Sequence, residues 1–384
     1  TYRFLIFFII CLDMKFKINR PSFFKTLSHL QGIVDKKNSL PILSNILIEA
    51  KSNQLTLSST DMDISIIEKV DCEVLESGST TINSQILYDI VRKLDENSEI
   101  EIISNNGKLL TLRANGSRFS LASLPKEDYP IIDQENLGIN IKINSRVLFK
   151  LIDKTKFAIS NEETRYFLNG LYFNITNEQD KNIVTLVGTD GHRLAKFSHY
   201  IDENIDQVSG VIIPKKTIYE LSKLLSENDI DVLISISLNK IVFNVGEIIF
   251  ISKLIDGSFP DYKRVIPKEN SNILKINREV LLSAVDRVST IANEKSPVIK
   301  FKLLNNILNL NTVNNESSTA SEDLEINYDG EEIEIGFNSK YIMDIVNNLE
   351  DEEISIKLKD NTSPIIALEN SNSNLIYVLM PMRV

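Results

Sequence analysis

The chain has 384 residues, which is too long for one ordinary hydrophobic core and suits about three domains of common size. Hydrophobic residues make up 42% and charged residues 25%, a balance typical of a soluble globular protein and not of a disordered one. The net charge of −11 argues against a general nucleic-acid binder with a basic surface, although a local basic patch is compatible with it.

The N-terminal segment 1–13 differs from the rest of the chain. Residues 4–12 are all apolar, but this run is only about half of the ~20 residues that a membrane helix needs. Arg3 is the only basic residue before it and no small-residue cleavage pattern follows, so a signal peptide is poorly supported. We expect 1–13 to be a leader outside the native protein, with Met14 as the functional start.

A first helix is predicted three times along the chain. The tripeptide Lys-Ile-Asn stands at 17–19, 142–144 and 275–277, and its Asn is suited to cap the start of a helix. Apolar residues then recur at helical spacing, four, five, eight and fourteen positions later. They are Phe23, Phe24, Leu27 and Ile33, then Leu148, Phe149, Ile152 and Ala158, then Leu281, Leu282, Val285 and Ile291.

A second helix repeats after the first, with its own apolar stripe. Its members are Ile82, Leu87, Ile90 and Leu94, then Ile213, Ile218, Leu221 and Leu225, then Phe337, Ile342, Ile345 and Leu349. Because two independent markers agree, the sequence predicts three copies of roughly 130 residues.

Strands are predicted between the helices, as short alternating or β-branched runs separated by polar turns. In the first copy they are 46–50, 55–58, 64–70, 100–103, 109–113 and 118–121, the last two joined by Asn115-Gly116, a strong hairpin signal. In the second copy they are 171–175, 183–186, 232–236, 241–245 and 248–254, and in the third 299–303, 307–311, 354–358, 365–368 and 375–380.

The predicted fold class is therefore α+β, with two helices packed on antiparallel sheets in each domain. The predicted domains are 14–137, 138–270 and 271–384, joined by short linkers near 133–138 and 268–272. Cys11 and Cys72 are too few for a disulfide framework or a cysteine-rich metal site, and they favour a reducing cytoplasm. No glycine-rich phosphate loop is present, and we expect no cofactor and no metal.

Positive charge is concentrated on the predicted helices. The segments 20–37, 86–94, 146–156, 215–225, 278–292 and 340–349 together carry +9, so the rest of the chain carries −20. Basic residues commonly decorate solvated helix faces. A separation of this size in an acidic protein instead suggests that the helices face something anionic.

The segment Thr189–Ala195, Thr-Asp-Gly-His-Arg-Leu-Ala, places an acid, a His and an Arg directly after a strand. It has three interpretations: a hydrolase site that uses Asp190 and His192, a structural turn, and a partner-binding surface. Neither His29 nor His199 has a metal-ligand spacing with it, and the partner-binding surface is the preferred interpretation. A three-domain scaffold that does not bind DNA is a further alternative.

Several motifs together resemble the bacterial DNA polymerase III β subunit, the sliding-clamp family. They are Thr189–Ala195, 165–170 (Arg-Tyr-Phe-Leu-Asn-Gly), 259–267 (Phe-Pro-Asp-Tyr-Lys-Arg-Val-Ile-Pro), 40–43 (Leu-Pro-Ile-Leu) and 380–384 (Met-Pro-Met-Arg-Val). The resemblance spans Met14 to Val384 and implies a head-to-tail homodimer that closes a ring of six clamp-type domains, with helices lining the hole. It implies a processivity factor without an active site of its own, loaded by an ATP-dependent clamp loader onto double-stranded DNA of any sequence.

The resemblance also implies a groove for a short hydrophobic peptide from the DNA polymerase III α subunit, the clamp loader, repair polymerases and mismatch-repair factors. The matching positions are Leu168, Thr189, Gly191, His192, Arg193, Leu194, Pro260, Arg264, Val265, Asn338, Tyr341, Met380, Pro381, Met382 and Arg383. An apolar pocket edged by Arg and His would suit such peptide anchors.

Two further sets of residues are expected on the same grounds. For DNA they are the loop residues Lys37, Arg165, Tyr166 and Phe167, with the helix lysines Lys25, Lys150, Lys154, Lys216 and Lys223. At the dimer interface Arg118, Phe119 and Leu121 would meet Ile291, Glu322 and Asp323 of the other chain, so that a basic edge faces an acidic one.

Overall fold

The structure is a computed structural model, which describes residues 14–34, 40–105, 108–130, 132, 139–178, 181–201, 208–293, 297–313 and 318–383. The predicted leader 1–13, Lys37 and the linker 133–138 lie outside the described residues. Across these ranges, no helix has both the length and the apolar character needed to cross a membrane.

Three consecutive stretches of the chain have the same order of elements. The first is β1 (Met14–Asn19), α1 (Arg20–Gln31), β2 (Asn45–Lys51), β3 (Gln54–Thr60), β4 (Ile64–Asp71), β5 (Glu73–Glu76), β6 (Gly78–Asn83), α2 (Ser84–Lys93), β7 (Glu99–Asn105), β8 (Leu109–Ala114) and β9 (Ser117–Leu124). The second is β10 (Ile139–Asn144), α3 (Ser145–Asp153), β11 (Gly170–Glu178), β12 (Lys181–Thr189), β13 (Arg193–Ile201), β14 (Val208–Pro214), α4 (Lys215–Ser226), β15 (Asp231–Ile236), β16 (Lys240–Val245) and β17 (Ile248–Lys253). The third is β18 (Asn272–Asn277), α5 (Arg278–Ser289), β19 (Val298–Leu304), β20 (Ile307–Val313), β21 (Thr319–Glu325), β22 (Ile333–Asn338), α6 (Ser339–Asn348), β23 (Glu353–Leu358), β24 (Ile365–Glu369) and β25 (Leu375–Leu379). Among the described residues, the short β5 has no counterpart in the other two repeats, and the predicted triplication of the element order is confirmed.

The Lys-Ile-Asn tripeptides end strands β1, β10 and β18, directly before the first helix of each repeat. The Asn that ends each of these strands takes different roles. The side chain of Asn277 accepts hydrogen bonds from the backbone N–H groups of Glu279 and Val280, whereas Asn19 makes no side-chain bond to its helix. The side chain of Asn144 accepts a hydrogen bond from the Arg146 N–H at 2.9 Å. Capping by this Asn is therefore confirmed in the second and third repeats and wrong in the first.

The predicted first helices were too long. Ile33, Ala158 and Ile291 lie beyond the ends of α1, α3 and α5, although they are buried or half-buried. Eight strands were also not predicted as separate elements: β1, β5, β6, β10, β14, β18, β21 and β22. Nor was β13, which begins inside the segment Thr189–Ala195.

The described chain divides into two compact units, and the division runs through the middle repeat. The first unit contains the described residues up to Arg146 together with Lys223–Lys253, and its strands form one sheet in the order β10-β15-β16-β17-β4-β3-β2-β6-β9-β8-β7-β1-β5. The second unit contains Val147–Ser222 and the described residues from Leu254 onward. Its sheets have the orders β14-β11-β12-β13-β25-β24-β23-β18 and β21-β20-β19-β22.

In each unit, one antiparallel strand pair joins two neighbouring repeats. In the first unit β17 pairs with β4, and in the second β25 pairs with β13. The first residue of β17, Ile248, lies opposite Glu68, and the first residue of β25, Leu375, lies opposite Phe197. Ser65 pairs with Thr60, the last residue of β3, and Leu194 pairs with Thr189, the last residue of β12. Glu68 and Phe197 each lie three residues after these positions, so both junctions have the same register.

In each repeat, the chain at or just after the last strand bonds to the strand that precedes the second helix. Leu124 pairs with Thr81, the Ile255 N–H donates to the Ile212 carbonyl at 3.0 Å, and the Met382 N–H donates to the Gly336 carbonyl at 2.8 Å. Each helix buries its apolar stripe on the sheets beneath it. In α1 the buried residues include Phe23 and Leu27, and α1 packs on α2, as α5 packs on α6. This burial is the main source of stability for helices of 9 to 12 residues.

Candidate functional site

The segment Thr189–Ala195 forms a tight turn between β12 and β13. Asp190 Oδ1 accepts hydrogen bonds from the backbone N–H groups of His192 at 2.9 Å and Arg193 at 3.0 Å. Thr189 Oγ1 donates to the Arg193 carbonyl at 2.6 Å and accepts from the Gly191 N–H at 3.1 Å. Gly191 has φ of +88°, a left-handed conformation that favours glycine. The residue types of this segment are thus those that the turn requires.

Arg193 leaves this turn and lies almost buried, with its side chain 10% exposed. Its guanidinium donates to Asp190 Oδ2 at 3.1 Å, to the Phe157 carbonyl at 2.9 Å and to the Asp344 carboxylate. The guanidinium carbon also lies 4.4 Å from the centroid of the Tyr341 ring, a cation–π geometry. Arg193 therefore ties the turn to α6 of the third repeat.

His192 and Asp190 contribute to the same contact between the turn and α6. The His192 ring stacks on the Tyr341 ring, with centroids 6.3 Å apart and planes inclined by 22°. Burial raises the pKa of Tyr341. Both carboxylate oxygens of Asp190 are engaged by the turn and by Arg193, so Asp190 acts on backbone N–H groups and a guanidinium and not on the His192 ring.

A largely apolar pocket of about 290 Å³ lies beside this turn in the second unit. Eight of the residues predicted for the peptide groove line it: Leu168, Thr189, Gly191, Arg193, Leu194, Pro260, Val265 and Met380. Four more lining residues were not predicted for it: Arg165, Phe167, Tyr262 and Val378. The pocket thus brings together the turn, the segment 165–168, the segment 260–265 and β25, which are far apart in the sequence.

The remaining predicted groove residues lie around the pocket and do not line it. His192 and Tyr341 form the stacked pair described above, and Asn338 caps α6 by accepting from the Lys340 N–H. Arg264 is exposed and pairs with Asp261 at 2.8 Å. Pro381, Met382 and Arg383 follow β25, held by the hydrogen bond from the Met380 N–H to the His192 carbonyl at 2.9 Å and by the Met382 pairing with Gly336.

The floor of the pocket includes Leu194, Tyr262 and Val378, which form a hydrophobic cluster with Val187 and have Tyr172 and Phe259 packed against them. The rings of Tyr172 and Phe259 stack with centroids 4.9 Å apart. Aromatic and aliphatic side chains of this kind form the desolvated anchor pockets of peptide-binding sites. The Phe-Pro-Asp-Tyr order at 259–262 is the sequence signal from which Tyr262 could have been found.

Arg165 lies at the mouth of this pocket and was predicted for DNA. It pairs with Glu162, with Nη2 at 2.7 Å from Oε1, and this bond lowers the pKa of Glu162. A Cβ added to Gly191 would lie 2.5 Å from Arg165 Nη1, so the guanidinium rests directly on the glycine. Tyr166 is exposed, while Phe167 lines the pocket.

The helix lysines predicted for DNA have different surroundings. Lys25 pairs with Glu227 at 3.7 Å and Lys150 with Glu350 at 3.0 Å, and both lysines are exposed or half-exposed. Lys216 and Lys223 are exposed on α4. For Lys154 the structure corrects the prediction of a DNA contact. Its side chain is buried, and its ammonium group lies 2.7 Å from both the Asn348 carbonyl and Glu350 Oε1.

The residues predicted for the dimer interface lie on strand β9, on strand β21 and just after helix α5. Arg118 is exposed on β9, and Phe119 and Leu121 are half-buried. On the third repeat, Glu322 of β21 pairs with Arg287 of α5 at 2.5 Å, Asp323 accepts from Asn309 Nδ2 at 2.7 Å, and Ile291 follows α5. Among the described residues, no group of three His, Cys, Asp or Glu side chains is arranged to hold a metal ion.

Family models of the DNA polymerase III beta subunit match three successive parts of the chain. The N-terminal domain model matches residues 14–133, the central domain model 142–261 and the C-terminal domain model 263–383. Together they cover most of the chain in the order of the three repeats.

Curated relatives and solved structures agree with these models. The beta sliding clamp of Caulobacter vibrioides is 39% identical over 372 residues, covering 97% of this chain and 100% of the relative, and that of Haemophilus influenzae is 34% identical over 371 residues, covering 96% and 100%. The solved sliding clamp of Bartonella birtlesii bound to griselimycin is 41% identical with a TM-score of 0.93, covering 97% of this chain and 100% of that one. The C. crescentus clamp with polyethylene glycol bound to a putative beta-motif tethering region is 39% identical, with a TM-score of 0.94 and the same coverage. Three clamp-type domains, the order of their elements and similarity along the whole length thus lead to one conclusion: the chain belongs to the DNA polymerase III beta subunit family, the beta sliding clamps.

Proposed function

We propose that this protein is a DNA sliding clamp, a non-catalytic subunit that encircles duplex DNA and tethers the replicative polymerase for processive synthesis. The observation that carries the proposal is the full-length similarity to beta sliding clamps over all three repeats. The proposed domains are 14–137, 138–270 and 271–384. The proposed location is the cytoplasm, where bacterial DNA is replicated.

A closed ring requires two copies of the chain, and the strand junctions indicate how they would meet. In the described residues, β21 is the edge strand of its sheet, and β9 pairs with β6 only through Ser123 and Leu124. These are the equivalents of the two strands that join neighbouring repeats inside the chain. β9 of one copy would therefore pair with β21 of the other, head to tail, and two such pairings would close the ring.

The register of this pairing follows from the two junctions inside the chain. Thr319 pairs with Val313, the last residue of β20. Glu322 lies three residues after Thr319 and is therefore the equivalent of Glu68 and Phe197. Ser117, the first residue of β9, would then lie opposite Glu322 of the partner subunit, and Ser120 opposite the partner's Thr319. Arg118 and the partner's Asp323 would share one face on diagonal positions, where opposite charges attract.

Exposure supports this assignment of the edges. Ile67 and Glu68 of β4 are buried beneath their pairing with β17. The equivalent Ser321 of β21 is exposed and Glu322 is half-buried. Apolar Phe119 and Leu121 on the β9 edge are only half-buried in the single chain. An unpaired edge with such side chains is a template for another strand.

Binding to DNA of any sequence requires contacts with phosphates, because contacts with base edges would fix the register. The concentration of positive charge on the helices provides these contacts. We assign Lys25, Lys150, Lys216 and Lys223 to this surface, with Arg165 and Tyr166 of the loop, and we remove the buried Lys154 from the set. Exposed ion pairs such as Lys150 with Glu350 are weak enough to exchange for a phosphate.

The apolar pocket is proposed as the site for short hydrophobic peptides of the DNA polymerase III α subunit, the clamp loader, repair polymerases and mismatch-repair factors. Its apolar floor would take the anchors, while Arg165 at its mouth would hold a carboxylate or a carbonyl of the peptide. Val265 is suited to a test because it lines the pocket and is 41% exposed, so a substitution there should leave the fold intact.

The experiment is primer extension by the cognate polymerase with its clamp loader, together with the anisotropy of a labelled peptide. Val265→Asp should abolish peptide binding and shorten the products to those of the polymerase alone. Leu238→Asp, at the tip of a hairpin where the side chain is fully exposed, is the matched control and should behave as wild type. Unchanged binding by the Val265 variant would refute the pocket assignment, and products that do not lengthen when wild-type clamp is added would refute the function.

A further inference from the structure

His29 of α1 lies between two carboxylates, one on each ring nitrogen. Its Nδ1 is 2.8 Å from Glu68 Oε2, and its Nε2 is 3.2 Å from Glu227 Oε2. The His29 side chain is only 7% exposed. The clamp function proposed above does not use this cluster.

Only the protonated ring can satisfy both carboxylates. A neutral imidazole has one N–H group, so one of the two carboxylates would face a nitrogen lone pair. An imidazolium donates from both nitrogens, and each hydrogen bond is then charge-assisted. The geometry of the cluster therefore corresponds to the charged form of His29.

The two carboxylates are held differently. Glu68 is buried, and its other oxygen, Oε1, accepts a hydrogen bond from Thr26 Oγ1 at 2.9 Å. Glu227 is half-exposed, and besides His29 it meets Lys25 of α1 at 3.7 Å. Loss of the His29 proton would thus leave the short bond to the buried Glu68 and release the half-exposed Glu227.

The cluster connects two repeats within the first unit. Glu68 lies on β4 of the first repeat, and Glu227 directly follows α4 of the middle repeat. At the same place Glu68 is paired in register with Ile248 of the middle repeat. His29 therefore adds a side-chain connection beside the backbone pairing of β4 and β17.

We propose that His29 is a proton-dependent tie between the first and middle repeats, closed when the ring is charged and opened when it is neutral. The groups that face the ring are Glu68 from β4 and Glu227 from the end of α4, with Lys25 of α1 reaching it through Glu227. Burial alone would lower the pKa of His29, but the two carboxylates outweigh it and the pKa is raised. The contact to Glu227 is therefore present below the ordinary His pKa of about 6.5 and is lost as the pH rises through the folded-state value.

The experiment is an NMR titration of the imidazole resonances of the full-length protein, which has only three His, together with hydrogen exchange of the amides at 223–227. In wild type the His29 midpoint should lie above about 6.5, and exchange at 223–227, corrected for its intrinsic pH dependence, should rise severalfold between about pH 6 and about pH 8.5. Glu227→Gln, at a half-exposed position, should lower the midpoint and remove this pH dependence. Asp229→Asn is the matched control. Asp229 lies two residues from Glu227 and pairs with Arg146, so this substitution removes one negative charge at a carboxylate that does not bind His29, and it should leave both readouts unchanged.

Two results would overturn the tie. One is a His29 midpoint at or below about 6.5 in wild type, since the ring would then be neutral where the contact is supposed to hold. The other is an equal midpoint in wild type and Glu227→Gln, since the second carboxylate would then have no part in holding the proton.

Discussion

The proposed pairing of β9 with β21 of a second copy makes a prediction that can be tested with cysteine cross-links. The register places Ser120 opposite the partner's Thr319, and both residues are small and exposed in the single chain. We expect Ser120→Cys combined with Thr319→Cys to form a disulfide between two copies. The substitutions should not disturb the fold, because neither side chain is part of the buried core.

The expected geometry decides the outcome. Directly opposed residues of an antiparallel pair have Cα atoms about 4.5–5.5 Å apart, within the range of about 4.4–6.8 Å that a disulfide spans. A shift of two residues along one strand adds about 6.6 Å at right angles, which separates the Cα atoms by about 8 Å. Ser120→Cys with Ser321→Cys is therefore a matched control on the same face, with another small exposed residue, and it should not cross-link.

The assay is non-reducing gel electrophoresis after mild oxidation, in a background with Cys11 and Cys72 replaced by Ser. Cys72 would otherwise react slowly, because burial and the neighbouring Asp71 raise its pKa to about 11. We expect a covalent dimer from the first pair only. The register deduced from the two junctions inside the chain would be refuted by a covalent dimer from the control pair, or by the absence of a covalent dimer from both pairs.

Three further predictions concern the turn beside the pocket and the acid stability of a loop. Arg193→Ala should lower the free energy of unfolding by about 3 kcal/mol in urea denaturation, because it leaves the Phe157 carbonyl and two carboxylates without their donor, while the exposed Arg264→Ala should change it little. Gly191→Ala should cost about 1–2 kcal/mol in the same assay because of the positive φ, and should weaken peptide binding by displacing Arg165; an unchanged affinity would contradict the role given to that guanidinium. Asp360 accepts four hydrogen bonds from Thr362 and Ser363, which lower its pKa to about 2, so its stabilising contribution should be present above about pH 4 and disappear as the pH falls toward 2. An NMR titration that places this carboxyl near its ordinary pKa would contradict the last prediction.

The sequence was most informative where one face of an element is buried. The apolar stripes at Phe23 and Leu27, and their equivalents, correctly predicted six helices, because burial against a sheet requires that spacing. The same reasoning overextended the first helices to Ile33 and its equivalents, since a buried residue just past a helix end has the same periodicity as one inside it.

Edge strands and side-chain destinations were less predictable. The strand β21, Thr-Ala-Ser-Glu-Asp-Leu-Glu, has few apolar residues because its outer edge and one face are not covered in the single chain. Lys154 was predicted to contact DNA, but it is buried and its ammonium group meets the Asn348 carbonyl from a different repeat. A contact between residues so far apart in sequence is set by the packing of the sheets and has no local signal.

The residues of the pocket were also only partly predictable from the sequence. Residues of conspicuous motifs, such as Leu194 and Pro260, were placed in it from the sequence, and they line it in the structure. Arg165 and Phe167 were predicted for DNA because they match loop positions that touch DNA in the family, and the structure places them in the lining of the pocket as well. The hydrogen bonds within this loop and those within the turn of Gly191 depend on a backbone conformation that the sequence does not specify on its own.

The measurement that tests the central claim most directly is retention on DNA as a function of DNA topology. Labelled protein would be loaded onto nicked circular DNA with a clamp loader and ATP, separated by gel filtration, and the circle then cut once with a restriction enzyme. An encircling clamp should stay with the intact circle and leave soon after linearisation, because its attachment is topological. Release at the same rate from the circular and the linear DNA would contradict the account.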